Sequence, residues 1–255
     1  LTKIVFWSTL ESQGMGGAMS DMRRERADRI LDTVSDLLLR WGYRRIRIDE
    51  VAKRSGIGKG TVYLHWRTRE QMLAAVGSRE TARMVDAVTE SMRADPETVL
   101  PHRLMRRIFI EAMGRPVLRA IYTQDIETVD ALATDRSQKA MGGANFAGWR
   151  EYLEIVHRHG LLREGLVPAD VHYPLTATVY GFFSADPLLP GELTLSLQDK
   201  ADQLAGTLQR AFEPPRAPAR KHLDAAAAEV VALYERIAEQ FRAITYEQGG
   251  RDEPH

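Results

Sequence analysis

The sequence predicts an all-helical protein, and three observations carry that prediction. Apolar residues recur every three or four positions over most of the chain, the spacing that lays one stripe along a helix. Alternating β-branched runs are scarce and aromatics make up only 7% of the 255 residues, which disfavours sheet. Glycine and proline fall between the periodic segments, cutting the chain into helix-length pieces. With 44% apolar residues there is ample material for a buried core, and wholesale disorder is excluded.

Residues 1–18 have no usable period and end in Gly-Met-Gly-Gly, so 1–20 is expected to be a flexible leader. Leu1 is not a methionine, and Met15, Met19 or Met22 is expected as the natural start. From Arg23 a first helix is marked by Ala27, Ile30, Val34, Leu37, Leu38 and Trp41, with Gly42 placed to end it. A short second helix carries Ile48, Val51 and Ala52 and breaks at Gly56; a third covers about 58–65. The fourth starts near Thr68, whose hydroxyl can cap it, and runs to about Arg93. Asp95-Pro96 is a break. Helices follow at roughly 97–113, 116–133, 145–160, 169–185 and 194–212, parted by Gly114-Arg115-Pro116, Gly142-Gly143 and the Gly160–Pro168 passage. Pro214, Pro215 and Pro218 make 214–222 a stiff linker. The last helix, 223–246, places Leu223, Ala227, Val230, Tyr234, Ile237, Phe241 and Ile244 at alternating steps of four and three, a seam that calls for a partner surface, in the same subunit or another.

Absence of cysteine excludes disulfides, thiolate nucleophiles and sulfur-ligated metal sites, and fits a cytoplasmic setting. No apolar run approaches the ~18–20 residues of a membrane-spanning helix. The overall charge is zero, yet residues 20–78 hold 13 basic and 8 acidic residues, net +5, while 79–255 hold 21 and 26, net −5. A compact basic segment on an acidic body suits a local contact with nucleic acid.

That basic segment contains IRIDEVAKRSGIGKGTVYLHWRTR over 46–69, which reads as helix, tight turn, helix. Gly56 supplies left-handed backbone in the Ser55-Gly56-Ile57 turn, small Ala52 lets the helices approach, and the short helix after it is of a size to enter a major groove. Arg44, Arg45, Arg47, Lys53, Arg54, Arg67 and Arg69 surround it as candidate phosphate contacts. The set Val51-Ala52, Ser55-Gly56-Ile57, Thr61-Val62-Tyr63, His65-Trp66 and Arg69-Glu70-Gln71-Met72-Leu73 resembles the N-terminal domain of the TetR family of bacterial transcription regulators, over about residues 23–83, with the helix–turn–helix at 46–65. The resemblance implies that Thr61 and Tyr63 hold phosphates, Lys59 and Gly60 face base edges or sugars, His65 supports the backbone contact, and Arg69 holds a phosphate at a helix start. Two departures stand out. Gly58 replaces a polar residue at the start of the recognition helix. Arg47 stands where a threonine usually caps the second helix; it can reach phosphate but cannot cap, which leaves Asp49 as an alternative cap one turn on.

For residues 84–213 the resemblance implies an effector-binding and dimerisation domain with a largely apolar cavity, which Phe109, Met113, Trp149 and Tyr152 are expected to line. The helices near 145–160 and 169–185 are expected to form a homodimer interface through Ala177, Gly181 and Ala185. Trp66 is expected in the core. His157 and His159, two apart, are poor metal-ligand geometry, and Asp125, Glu127 and Asp130 read as a solvated face. No nucleophile–base set, phosphate-cradling glycine loop or metalloprotease motif is found, so neither catalysis nor a cofactor is expected. The function these expectations compose is a repressor that binds double-stranded operator DNA and is released by a small molecule. The rivals are an activator or nucleoid protein of the same fold, an all-helical enzyme with an appended DNA module, and a sensor that has lost DNA binding, which the Lys59, Thr61, Tyr63 and Arg69 set disfavours.

Overall fold

The computed structural model describes residues 2–123 and 136–246, with side-chain surroundings given for 21–123 and 147–246. The expected helix at 116–133 is therefore seen only as far as Thr123, and Asp125, Glu127 and Asp130 lie outside the described residues. Every regular element described is helical: α1 (Thr2–Trp41), α2 (Ile48–Ser55), α3 (Lys59–His65), α4 (Arg69–Ala94), α5 (Pro101–Gly114), α6 (Pro116–Thr123), α7 (Arg136–Arg158), α8 (Pro168–Ser184), α9 (Leu197–Phe212) and α10 (Arg220–Tyr246), with single 3₁₀ turns between some of them. Among the described residues no helix is long and apolar enough to cross a membrane.

Two differences from the sequence reading concern helix ends. The 1–20 stretch is expected to be a loose leader, but α1 begins at Thr2. Gly142-Gly143 is expected to separate two helices, but it lies inside α7. Both have one physical reason. A glycine inside a helix costs about 1 kcal/mol, which a helix already nucleated on either side tolerates. The glycines that terminate α1, α2 and α7 do so by turning left-handed: Gly42, Gly56 and Gly160, at φ of 74°, 67° and 68°.

The chain divides into two compact units. One comprises the residues up to Val76 together with Tyr246, the other Gly77–Thr245, so the division falls inside α4 rather than near residue 83. The first unit buries the inward stripe of α1 (Ala27, Ile30, Leu31, Val34, Leu37, Leu38) with Ile46, Val51, Val62, Trp66 and Met72. Trp66 is 1% exposed, a core residue as expected. Thr68 caps α4: its Oγ1 accepts the Gln71 N–H at 3.1 Å, and the Gln71 Oε1 accepts the Arg67 N–H at 2.9 Å.

The second unit packs α5 along α9 around Leu104, Met105, Leu204 and Leu208, with Tyr152, Val156 and Val230 in the same core. Across α5 and α9, Arg106 pairs with Asp202 at 2.6 Å and the His102 ring with buried Glu213 at 2.7 Å. The seam of α10 is buried on this unit of its own chain at Leu223, Ala227, Val230, Tyr234 and Phe241, joined by Ala226, Leu233 and Ala238. Ile237 and Ile244 are only partly buried. Side-chain pairs flank the seam: Arg242 holds Asp86 through both carboxylate oxygens at 2.6 and 2.8 Å, and Arg236 meets Glu151 at 2.5 Å. Exposed pairs of this kind contribute little each, so the apolar seam supplies most of the docking free energy.

Candidate DNA interface and ligand cavity

The helix–turn–helix is built from backbone outward. Arg47 is extended (φ −122°, ψ 142°) at the start of α2, and its side chain makes no capping bond. Asp49 does not take over as cap; its carboxylate accepts from the Lys59 ammonium at 2.6 Å and so ties α2 to the start of α3. That hydrogen bond raises the pKa of Lys59. Gly56, left-handed, ends α2 by donating its N–H to the Ala52 carbonyl, and Ile57 donates to the same oxygen at 3.0 Å. The chain then re-enters a helix at Gly58, whose carbonyl accepts from Thr61 and Val62. Gly58 offers no side chain to cap α3.

The seven residues of α3 sort cleanly by face. Val62 and His65 are buried, Thr61 is half-buried, and Lys59, Gly60, Tyr63 and Leu64 are exposed. Sequence reasoning missed Leu64, which at 68% exposure is a large apolar side chain in water on the face that presents Lys59, Gly60 and Tyr63. The signal was available: in a helix with Val62 and His65 inward, residue 64 faces out. Arg44, Arg45, Arg47, Lys53 and Arg67 lie exposed around this face, while Arg54 is paired with Glu50 at 2.6 Å and lies 4.6 Å over the Trp41 ring.

Two residues expected at the DNA contact are placed otherwise. His65 is 7% exposed, with its ring centroid 5.3 Å from that of Trp66. Burial, with the charges of Arg23 and Arg26, lowers its pKa, so it is a neutral core imidazole. Arg69 turns inward. Its Nε donates to the Ile46 carbonyl at 2.7 Å, its Nη2 to the Tyr43 carbonyl and its Nη1 to Glu70, and the guanidinium lies 4.5 Å over the Tyr43 ring. The reason is the 3₁₀ turn at Tyr43–Arg45 and the extended Ile46 that follows, whose carbonyls have no complete helical ladder to satisfy them. Arg69 braces the α1–α2 connection with donors that a phosphate contact would need.

In the second unit a cavity of about 360 Å³ is lined from α4 by Gly77, Thr81, Met84, Val85 and Val88, from α5 and α6 by Ile108, Leu118, Ile121 and Tyr122, from α7 by Gly148, Trp149 and Tyr152, from α8 by Leu175, Thr176, Val179, Tyr180 and Phe183, and from α10 by Tyr234, Ile237 and Phe241. Of the four expected lining residues, Trp149 and Tyr152 are there, their rings T-shaped at 5.7 Å. Phe109 and Met113 are not. Both are buried in the core, where Phe109 touches Phe183 at 4.9 Å between centroids, one layer behind the wall. Tyr152 is fixed by donating its hydroxyl to the Val99 carbonyl at 2.9 Å.

The first unit is therefore a helix–turn–helix domain of the kind that places a helix in a DNA groove, and the second is a separate helical domain with an apolar cavity. The family of bacterial regulatory proteins, tetR family, matches residues 30–76. The N-terminal domain belongs to that family. The HTH-type transcriptional activator FasR of Mycolicibacterium smegmatis is 29% identical over 90 residues, 35% of this chain and 39% of that protein, so the match spans well under half of the curated relative. The fold is also that of SmeT of Stenotrophomonas maltophilia, solved with triclosan (TM-score 0.58, 22% identity, 76% of this chain and 95% of that one). NalD, the secondary repressor of the MexAB-OprM multidrug efflux pump in Pseudomonas aeruginosa, shares it too (TM-score 0.56, 18% identity, 76% and 98%).

Proposed function

We propose that this chain is a transcriptional repressor that binds a palindromic operator as a homodimer and is released by a small molecule. The observation that carries the DNA-binding part is α3: a short helix set by a left-handed glycine turn, with Lys59, Gly60, Tyr63 and Leu64 outward and a rim of exposed arginines. Lys59 supplies a donor for base edges, Leu64 an apolar contact of the kind that suits a thymine methyl, and Thr61, Tyr63 and Arg47 reach phosphates. Exposed Tyr173, Ala177, Tyr180 and Gly181 recur at helical spacing on α8 and support a second copy as their partner. The cavity supports the effector, and the solution of a fold neighbour with triclosan is consistent with a small-molecule occupant. Operator and effector lower each other's affinity by the same factor when each favours a different conformer.

Selection of random duplexes on the purified protein tests this reading. The expected product is an inverted repeat whose half-sites lie about 34–36 Å apart, bound by a particle of about twice 28.8 kDa in light scattering. Recovery of no common sequence, or binding by a monomer, refutes it. The name of the relative FasR favours activation as the second reading; transcription in vitro from a promoter carrying the selected site separates the two.

A further inference from the structure

We propose that the C-terminal helix α10 is a wall of the ligand cavity and that the cavity takes an uncharged, ring-bearing apolar molecule; this rests on the effector reading above. Three residues of α10 face the cavity, Tyr234, Ile237 and Phe241, and they come from the same seam that docks the helix. The contact is close. At Gly148 on α7 an added Cβ would lie 2.7 Å from the Ile237 Cδ1, so the end of the Ile237 side chain rests directly against the glycine.

The lining decides the chemistry of the occupant. Among the described residues, none that lines the cavity is Asp, Glu, Lys, Arg or His. On α4 and α5, Glu80 pairs with Arg83 and Glu111 with Arg115, and none of the four lines the cavity. The phenols do not substitute for them: burial raises the pKa of Tyr122, Tyr152 and Tyr234, keeping all three neutral. An ion entering against these described walls would lose its hydration with no counter-charge from them to replace it, which is strongly unfavourable. Flat rings are favoured instead by Trp149 and by the Tyr122–Phe183 stack at 4.6 Å. The volume lies in the roughly 300–1,000 Å³ range of sites for drug-sized molecules.

The test uses two dyes with one ring skeleton, neutral N-phenylnaphthylamine and its anionic counterpart anilinonaphthalene sulfonate, titrated into the full-length protein by fluorescence. The neutral dye is expected to bind about tenfold or more tightly than the sulfonate. Ile237→Trp, which fills the cavity from α10, is expected to weaken the neutral dye by more than about tenfold, and Ile237→Ala, which strips contacts from the wall, by roughly tenfold. Gln240→Trp, on the exposed face of α10, is expected to leave binding within about twofold of the parent. Circular dichroism checks that each variant is folded; if Ile237→Trp is not, the alanine variant carries the test. Equal affinity for the two dyes overturns the ligand class, and dye binding untouched at residue 237 overturns the wall. Neutral-dye binding that never releases operator DNA would refute the effector reading and leave this assignment standing.

Discussion

Removing the guanidinium of Arg69 separates two roles that sequence alone cannot tell apart. Arg69→Met keeps the aliphatic stem and deletes the donors to the Ile46 and Tyr43 carbonyls. Each charge-assisted bond is worth about 1.5–3 kcal/mol. The side chain is 24% exposed, so water replaces part of what is lost. The net cost should be about 2–3 kcal/mol, including the contact with the Tyr43 ring. For a domain of this size that corresponds to a fall of roughly 10–20 °C in its melting transition, readable by calorimetry. DNA binding is then followed by anisotropy on a non-specific duplex over a salt series, well below that transition. A lost phosphate contact lowers the log–log salt slope by about 0.9 per subunit. Arg47→Ala should show that fall with little change in stability, and Arg69→Met should show the reverse. A reduced slope with an unchanged melting temperature for Arg69→Met would refute the brace.

Gly58→Ser should stabilise the N-terminal domain by a few tenths of a kcal/mol, because Gly58 caps α3 without a side chain, has φ of −60° and leaves room for a Cβ; thermal melting of the pair checks it. Tyr152→Phe should cost about 1–3 kcal/mol in urea unfolding, since it strands the buried Val99 carbonyl, and should leave the DNA salt slope alone. His65 gives the N-terminal domain a pH dependence. Its folded pKa lies below the ordinary 6.5, so the unfolded chain binds the proton more readily. The stability contribution is whole above about 6.5 and is lost as pH falls toward the folded value; His65→Gln should flatten that part of a stability–pH profile measured by urea melts.

Much of the DNA-binding domain was legible because its signals are local. Gly56 had to be left-handed, Val51 and Ala52 had to face inward, and Thr68 had to cap, and each follows from a few neighbouring residues. Arg69 and His65 were misplaced for the opposite reason. Their partners are Ile46 and Tyr43, more than twenty residues back, for the first, and the packed interior for the second, which periodicity does not specify. A residue at a helix start near basic neighbours satisfies the pattern for a phosphate ligand whether its donors turn outward or in.

The cavity shows the same limit in a sharper form. Periodicity identifies which face of a helix is buried, and Phe109, Met113, Trp149 and Tyr152 all lie on such faces. It does not say which buried residues border empty space, because a void is defined by several helices at once. Tyr152 borders it and Phe109 stands one ring behind, although both are 1% exposed. The α10 seam was legible as apolar, but the void it borders was not: that depends on contacts such as Ile237 against Gly148 on another helix. Packing near the density of a crystal lets a single methyl group decide where a cavity ends. Gly148 is part of the cavity wall, although a glycine inside a helical run carries no sign of it in the sequence.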